Sequence, residues 1–122
     1  MSTSRQLLNS KIHRAKVTEA NLDYIGSITI DEDIMNAANI VEWEKIQVLN
    51  INSGSRLETY VIKGMRGSKE ICINGAAAHL VNVGDLVILC TYITIHNDDC
   101  QQHLPTVIHM NEENDIISLR NI

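Results

Sequence analysis

The sequence predicts a mainly β protein, a small closed barrel with short helices, and three observations carry that expectation. The first is composition: Phe is absent, there are one Trp and three Tyr, yet 44% of the 122 residues are hydrophobic. A core of Ile, Val, Leu and Ala favours short β-branched strands over long helices. The second is spacing: apolar runs of strand length recur along the chain between polar or Gly-containing breaks, with a single Pro and no linker-like stretch. The third is an internal echo. "AANIVEWEKIQVL" (37–49) anticipates "AAHLVNVGDLVIL" (77–89), and each follows a strand-like run ending in Asp or Asn, "SITID" and "EICIN". Strand, short helix, loop and strand, twice over, is the pattern of a pseudo-two-fold barrel, whose closure removes exposed edges. The length suits one domain over residues 1–122.

The elements follow in order. "KIHRAKVT" (11–18) alternates as a strand does, and "SITI" (27–30) is a second strand. Asp31 is placed to cap a short helix over "EDIMNAAN" (32–39). "WEKIQVLNI" (43–51) and "RLETYVIKG" (56–64) read as a hairpin turning at Ser53-Gly54. "KEICI" (69–73) is a strand, "NGAAAHLV" (74–81) a helical turn, and "GDLVILCTYITI" (84–95) a long buried strand. The tail forms two short strands around the polar turn "NEEND" (111–115).

A net charge of −5, with a pI near 5.4 and scattered basic residues, argues against a nucleic-acid surface. No apolar run reaches the length of a membrane span, and the first ten residues, "MSTSRQLLNS", lack a signal-peptide core. Cys72, Cys90 and Cys100 are odd in number and unpatterned, which suits a reducing compartment. The expectation is a soluble cytoplasmic protein with no membrane partner.

In "NLDYIGSITID" (21–31), a Gly-Ser pair stands where a strand begins. Tyr24-x-Gly26-Ser27 is preceded by Lys11-x-His13-Arg14, then followed by Arg56-x-x-Thr59-Tyr60 and by Asn74-Gly75-Ala76-Ala77-Ala78-His79. In this order and spacing the motifs resemble the bacterial aspartate 1-decarboxylases, from about residue 5 to about residue 95. Residue 25 departs from the pattern, being Ile where many relatives carry Glu.

The resemblance implies a six-stranded double-psi β-barrel that assembles as a homotetramer with active sites between subunits. It implies a precursor that cuts itself between Gly26 and Ser27 into a small chain, 1–26, and a large chain, 27–122; a maturation factor is a further candidate partner. Ser27 Oγ attacks the Gly26 carbonyl, Gly26 contributes backbone freedom, and Thr59 or Asn74 donates a hydrogen bond to the oxyanion. The resulting ester eliminates and hydrolyses, leaving a covalent pyruvoyl group at position 27. That group serves as the electron sink for decarboxylating L-aspartate to β-alanine, a precursor of pantothenate and coenzyme A, with no pyridoxal phosphate and no metal. Tyr60 is the expected proton donor. Arg56 and Lys11 are the expected carboxylate partners, and His13, Tyr24, Thr59, Gly75, Ala76 and Ala77 are expected around the same pocket.

Each residue also has a plainer account. Lys11 and Arg56 suit a solvated strand, Tyr60 a barrel tyrosine, His79 a cap and Ile88 core packing. His96, Cys100 and His103 in "HNDDCQQH" have spacings that a metal accepts, but the stretch reads as a solvated loop. The alternative to an enzyme is a non-catalytic barrel, a binding or assembly module that kept the scaffold. Against that stands the joint presence of Lys11, Tyr24, Gly26, Ser27, Arg56, Thr59, Tyr60 and Asn74. A serine hydrolase is disfavoured, because Gly-x-Ser-x-Gly is absent.

Overall fold

A computed structural model describes residues 3–121, so the extreme ends of the expected 1–122 domain lie outside it. The strands are β1 (Ser4–Lys16), β2 (Glu19–Asn21), β3 (Ser27–Asp31), β4 (Lys45–Asn50), β5 (Arg56–Gly64), β6 (Ile71–Asn74), β7 (Leu86–His96), β8 (Thr106–Met110) and β9 (Ile116–Asn121). One α-helix, α1 (Glu32–Ala38), and two 3₁₀ turns, Gly75–Leu80 and Asn97–Gln102, complete the set. The strands are ordered β2-β6-β3-β5-β4-β7-β1-β8-β9. β2 prolongs the line of β1, because Val17 N–H donates to Asp85 O at 2.9 Å and Thr18 N–H to Ile71 O at 2.8 Å. The described residues thus form nine strands where six were expected: β2 prolongs β1 as the wall closes through them, and β8–β9 are the two expected tail strands.

The pairings repeat as the echo requires. β3 pairs antiparallel with β6, and β4 with β7. β4–β5 has its counterpart in β7–β1, both antiparallel, and parallel β3–β5 has its counterpart in β6–β2. Two crossed parallel pairs in a closed barrel are the arrangement that the resemblance implies. The duplication is offset differently in helix and strand. Ala38 and Ala78 are both buried, which suits the sequence alignment, but inward-facing Val48 answers to Leu89 and not to its aligned neighbour Ile88. The second copy carries one more residue in its loop, and a one-residue slip exchanges the faces of a strand.

The core is aliphatic, as composition requires. Ile12, Ile28, Ile30, Ile46, Val48, Val61, Ile71, Ile73, Val87, Leu89 and Ile108 are fully or almost fully buried. In β1 the buried residues Ser10 and Ile12 alternate, but the next, Ala15, comes three residues later. A bulge at Arg14, whose φ is 67°, absorbs the extra residue and leaves His13 on the outer face. Asp31 caps α1 by accepting from Asp33 N–H at 2.8 Å, and also takes the Gly67 and Lys69 N–H groups, which ties the helix start to the loop after β5. Asn39, with φ of 61°, ends the helix in the left-handed conformation. The β4–β5 connection is wider than a two-residue turn, because Asn50 Oδ1 gathers the Asn52 and Ser53 N–H groups. No helix among the described residues is long and apolar enough to cross a membrane.

Candidate active site

Pleating decides what surrounds Ser27. In the β3–β6 ladder Ser27 faces Asn74 and Thr29 faces Cys72. Ile28, Ile30, Ile71 and Ile73 point into the core, so Ser27, Thr29, Cys72 and Asn74 share the opposite face. That face is covered all the same: Ser27 is 5% exposed, Asn74 4% and Cys72 2%. Asn74 Nδ2 donates to Ser27 Oγ at 3.0 Å and to Thr29 Oγ1 at 3.1 Å, while Cys72 Sγ donates to Asn74 Oδ1 at 3.1 Å. Ser27 Oγ itself points its proton at Ile25 O, 3.4 Å away. Because the Asn74 side chain is engaged there, it leaves the 3₁₀ turn Gly75–Leu80 without a side-chain cap.

The glycines divide the work differently from expectation. Gly26 lies outside the left-handed region, and a methyl group on it would meet nothing nearer than Asn74 O at 3.9 Å. The steric demand falls on Gly75. Its φ is +69°, and a Cβ there would stand 2.5 Å from Gly26 Cα and 2.9 Å from Tyr24 O. Gly75 therefore makes room for the chain just before Ser27. Tyr24 and Ile25, in the same loop, project into solvent, and Ala76, Ala77 and His79 line the outer side of the 3₁₀ turn, half-buried or exposed.

Tyr60 belongs beside Ser27. Parallel pairing of Ile28 with Val61 brings Tyr60 level with Ser27 on the neighbouring strand, about 5 Å away along the backbone, and on the same outer face. Its ring stacks on Trp43 with centroids 6.0 Å apart. Thr59, one residue earlier and half-buried, falls on the opposite pleat of β5 from Tyr60, and the side chain bonded to Ser27 Oγ is that of Asn74.

The cations lie elsewhere on the sheet. Arg56 begins β5, about 13 Å from Tyr60 along the strand. Across the sheet Arg56 pairs with Leu49, Leu49 with Ile88, and Ile88 with His13, so Arg56 and His13 are three strands, about 14 Å, apart. Lys11 is opposite Cys90 in the adjacent row. Arg56 and Ile88 border a 180 Å³ depression, and a 390 Å³ groove nearer Tyr60 is lined by Gln6, Lys45, Gln47, Glu58 and Tyr92. Within one chain, then, Ser27, Thr59, Tyr60, Asn74 and Gly75 gather at one end of the barrel, while Lys11, His13 and Arg56 spread over an open face.

His13 packs edge-on against His109 with ring centroids 5.3 Å apart, and its buried Nδ1 has no partner among the described residues. Burial lowers its pKa, and the charges of Lys11, His109 and Arg14 lower it further. Burial pushes the Cys72 thiol up to about 12, with Glu19 and Glu70 adding to the rise. The side chains of "HNDDCQQH" turn to separate partners: His96 Nδ1 accepts from Asp98 N–H, His103 Nε2 meets Leu8 O at 2.7 Å, and Cys100 Sγ meets the carbonyls of Ile95 and His96. The stretch 97–102 forms a 3₁₀ turn where a loop was expected. Sequence reasoning missed Thr29, Cys72 and Trp43. The alternation of "EICIN" against "SITID" holds a signal for the first two, once the strands are paired in register. Trp43 carries none, since it reaches Tyr60 from a loop position with φ of 74°.

The model of the aspartate decarboxylase family matches residues 3–117, which extends the likeness past the motifs into the tail. An aspartate 1-decarboxylase of Caldicellulosiruptor saccharolyticus is 57% identical over 116 residues, covering 95% of this chain and 91% of the relative. One from Heliobacterium modesticaldum is 60% identical over 115 residues, with 94% and 87% covered. One from Staphylococcus aureus is 55% identical over 115 residues, with 94% and 91% covered. The chain belongs to the aspartate decarboxylase family.

Proposed function

We propose that this protein is a self-processing aspartate 1-decarboxylase, which releases β-alanine and CO₂ from L-aspartate after cutting its own Gly26–Ser27 bond. The observation that carries the reading is the buried Ser27 hydroxyl, held by Asn74 directly after the bond it has to attack. Attack of Oγ on the Gly26 carbonyl carbon breaks the amide C–N bond, forms an ester and frees the Ser27 amine. Loss of the Ser27 α-proton expels the Gly26 carboxylate, and water then replaces the nitrogen, which leaves as ammonia. The products are chains 1–26 and 27–122, the second beginning with a pyruvoyl group. As Ser27 Oγ closes on the carbonyl, the Asn74 N–H that it accepts becomes available to the negative charge developing at this junction, and Thr59, next to Tyr60 on β5, is the second candidate donor.

Residue 27 fits such a group, since it is enclosed, lies beneath a fixed amide donor and opens towards the outer face shared with Tyr60. When present, the group supplies a carbonyl that binds the substrate amine and accepts the electrons released with CO₂. The Tyr60 phenol, held flat by Trp43, returns the proton to the α-carbon. Arg56 and Lys11 bind the substrate carboxylates.

The distance of Arg56 from the Ser27 end of β5, about 13 Å along the strand, supports an assembly in which neighbouring copies complete each site, and hence the homotetramer. Exposed Tyr24, Ile25, Val41 and Trp43 around the Ser27 end supply apolar surface for such a contact. The test of function is conversion of L-aspartate by the wild-type chain and by Ser27→Ala. β-Alanine from the first and none from the second supports the reading; equal turnover by both, or none by a cut wild-type chain, contradicts it.

A further inference from the structure

The β3–β6 face holds two side chains that the proposed chemistry does not use, Thr29 and Cys72. Cys72 lies two residues before Asn74 on β6, opposite Thr29, and is 2% exposed. Its Sγ is 3.1 Å from Asn74 Oδ1. The two ends of a carboxamide are nearly equal in shape, so packing alone does not decide which end faces Ser27. Hydrogen bonding does decide it. Ser27 Oγ and Thr29 Oγ1 are hydroxyl oxygens that can donate or accept, and both would tolerate the amide oxygen as well as its nitrogen. A protonated thiol tips the choice, because it donates to the amide oxygen and leaves the NH₂ group for Ser27 and Thr29.

We propose that Cys72 is a positioning residue for self-cleavage: it fixes the Asn74 side-chain amide with its N–H end towards the Gly26–Ser27 junction. The proposal rests on the reading that this bond is cut by Ser27. A flipped amide would accept the Ser27 proton and offer no N–H to charge forming at the Gly26 carbonyl. The surroundings keep the thiol a donor. It is buried, and the carboxylates of Glu19 and Glu70 gather with it, all three ligand-type atoms lying within 4.8 Å of one another. Glu19 is a second acceptor for the single thiol proton, and the 3.1 Å contact from Sγ to Asn74 Oδ1 is the donation that orients the amide. Those negative charges oppose a thiolate, so the group that could turn the amide around, an ionised sulfur, is suppressed. Cys72 touches neither the scissile bond nor the substrate; it acts through Asn74.

The experiment follows cleavage of freshly isolated precursor by intact mass over time, in wild type, Cys72→Ser, Cys72→Ala and Cys72→Val. Thermal melting identifies folded variants. Serine keeps a donor of similar size, while alanine and valine remove it, valine without leaving a void. Loss of one hydrogen bond corresponds to slowing of about fivefold to tenfold. The expected result is slowing of that size in the alanine and valine variants, with the serine variant within about twofold of wild type on the same scale. Cleavage at the wild-type rate in folded Cys72→Ala or Cys72→Val overturns the proposal, as does a serine variant as slow as the alanine one. A wild-type chain that is never cut overturns the self-cleavage reading itself, and the proposal with it.

Discussion

Gly75 lies against Gly26 so closely that a methyl group on Gly75 would stand 2.5 Å from Gly26 Cα and 2.7 Å from Gly26 N. These atoms are backbone, which cannot rotate away. The Gly75→Ala variant is therefore expected to push the 24–26 loop off Ser27 and to add the strain of a left-handed alanine, about 1–3 kcal/mol. Thermal melting should show the loss of stability, and intact mass should show slow or absent cutting. A variant that melts and cuts like wild type would contradict this account of Gly75.

Asn74 is the donor on Ser27, and Asn74→Ala removes it while leaving the hydroxyls of Ser27 and Thr29 without their shared partner. By analogy with removal of an oxyanion donor, self-cleavage is expected to slow by about 10²-fold or more. A time course of the uncut fraction measures this. If Thr59 were the sole donor, Thr59→Val would stop cutting and Asn74→Ala would barely change it.

Tyr60 is predicted to separate the two reactions. Tyr60→Phe keeps the stack on Trp43 and leaves the Ser27–Asn74 contact untouched, so processing should proceed. Decarboxylation per processed chain should fall by about 10²-fold, the usual scale for one acid–base group. Equal loss in both reactions would mean that Tyr60 is structural.

His13 gives a pH signature. Its folded pKa lies below the ordinary 6.5, chiefly through burial and then through Lys11, His109 and Arg14. As the pH falls below 6.5 the unfolded chain takes up the proton before the folded chain does, so stability declines towards acid and is flat, as far as this group is concerned, above that value. Urea midpoints at neutral and mildly acidic pH should fall less for His13→Gln than for wild type. An equal fall in both would remove His13 from the account.

Much of the fold was legible because one physical rule generated it. An aliphatic, β-branched composition with no Phe left strands as the means of burying a core, and the echo between 37–49 and 77–89 encoded the paired ladders. The register inside the echo was not legible, since the extra residue before Val87 shifts the strand by one while leaving Ala78 aligned with Ala38. The bulge at Arg14 was hidden for the same reason: its left-handed backbone follows from pairing with β7, a long-range contact. At the site, the motif identified Ser27, Tyr60 and Asn74, which the ladders bring together. Cys72 is not legible because its contact with Asn74 appears only when β3 and β6 are laid side by side, and Gly75, expected beside the substrate, also yields the place of a side chain to Gly26, which a motif does not reveal. The placement of Lys11 and Arg56 could be read as charge chemistry but not as distance, which the sheet order sets.

The most direct test of the central claim is the intact mass of the purified protein under denaturing conditions, before and after prolonged warm incubation. The account predicts two fragments divided after Gly26, the larger lighter by one ammonia than a chain that starts with serine. A single uncut mass that never changes, even with host extract added, would contradict it and favour a non-catalytic barrel.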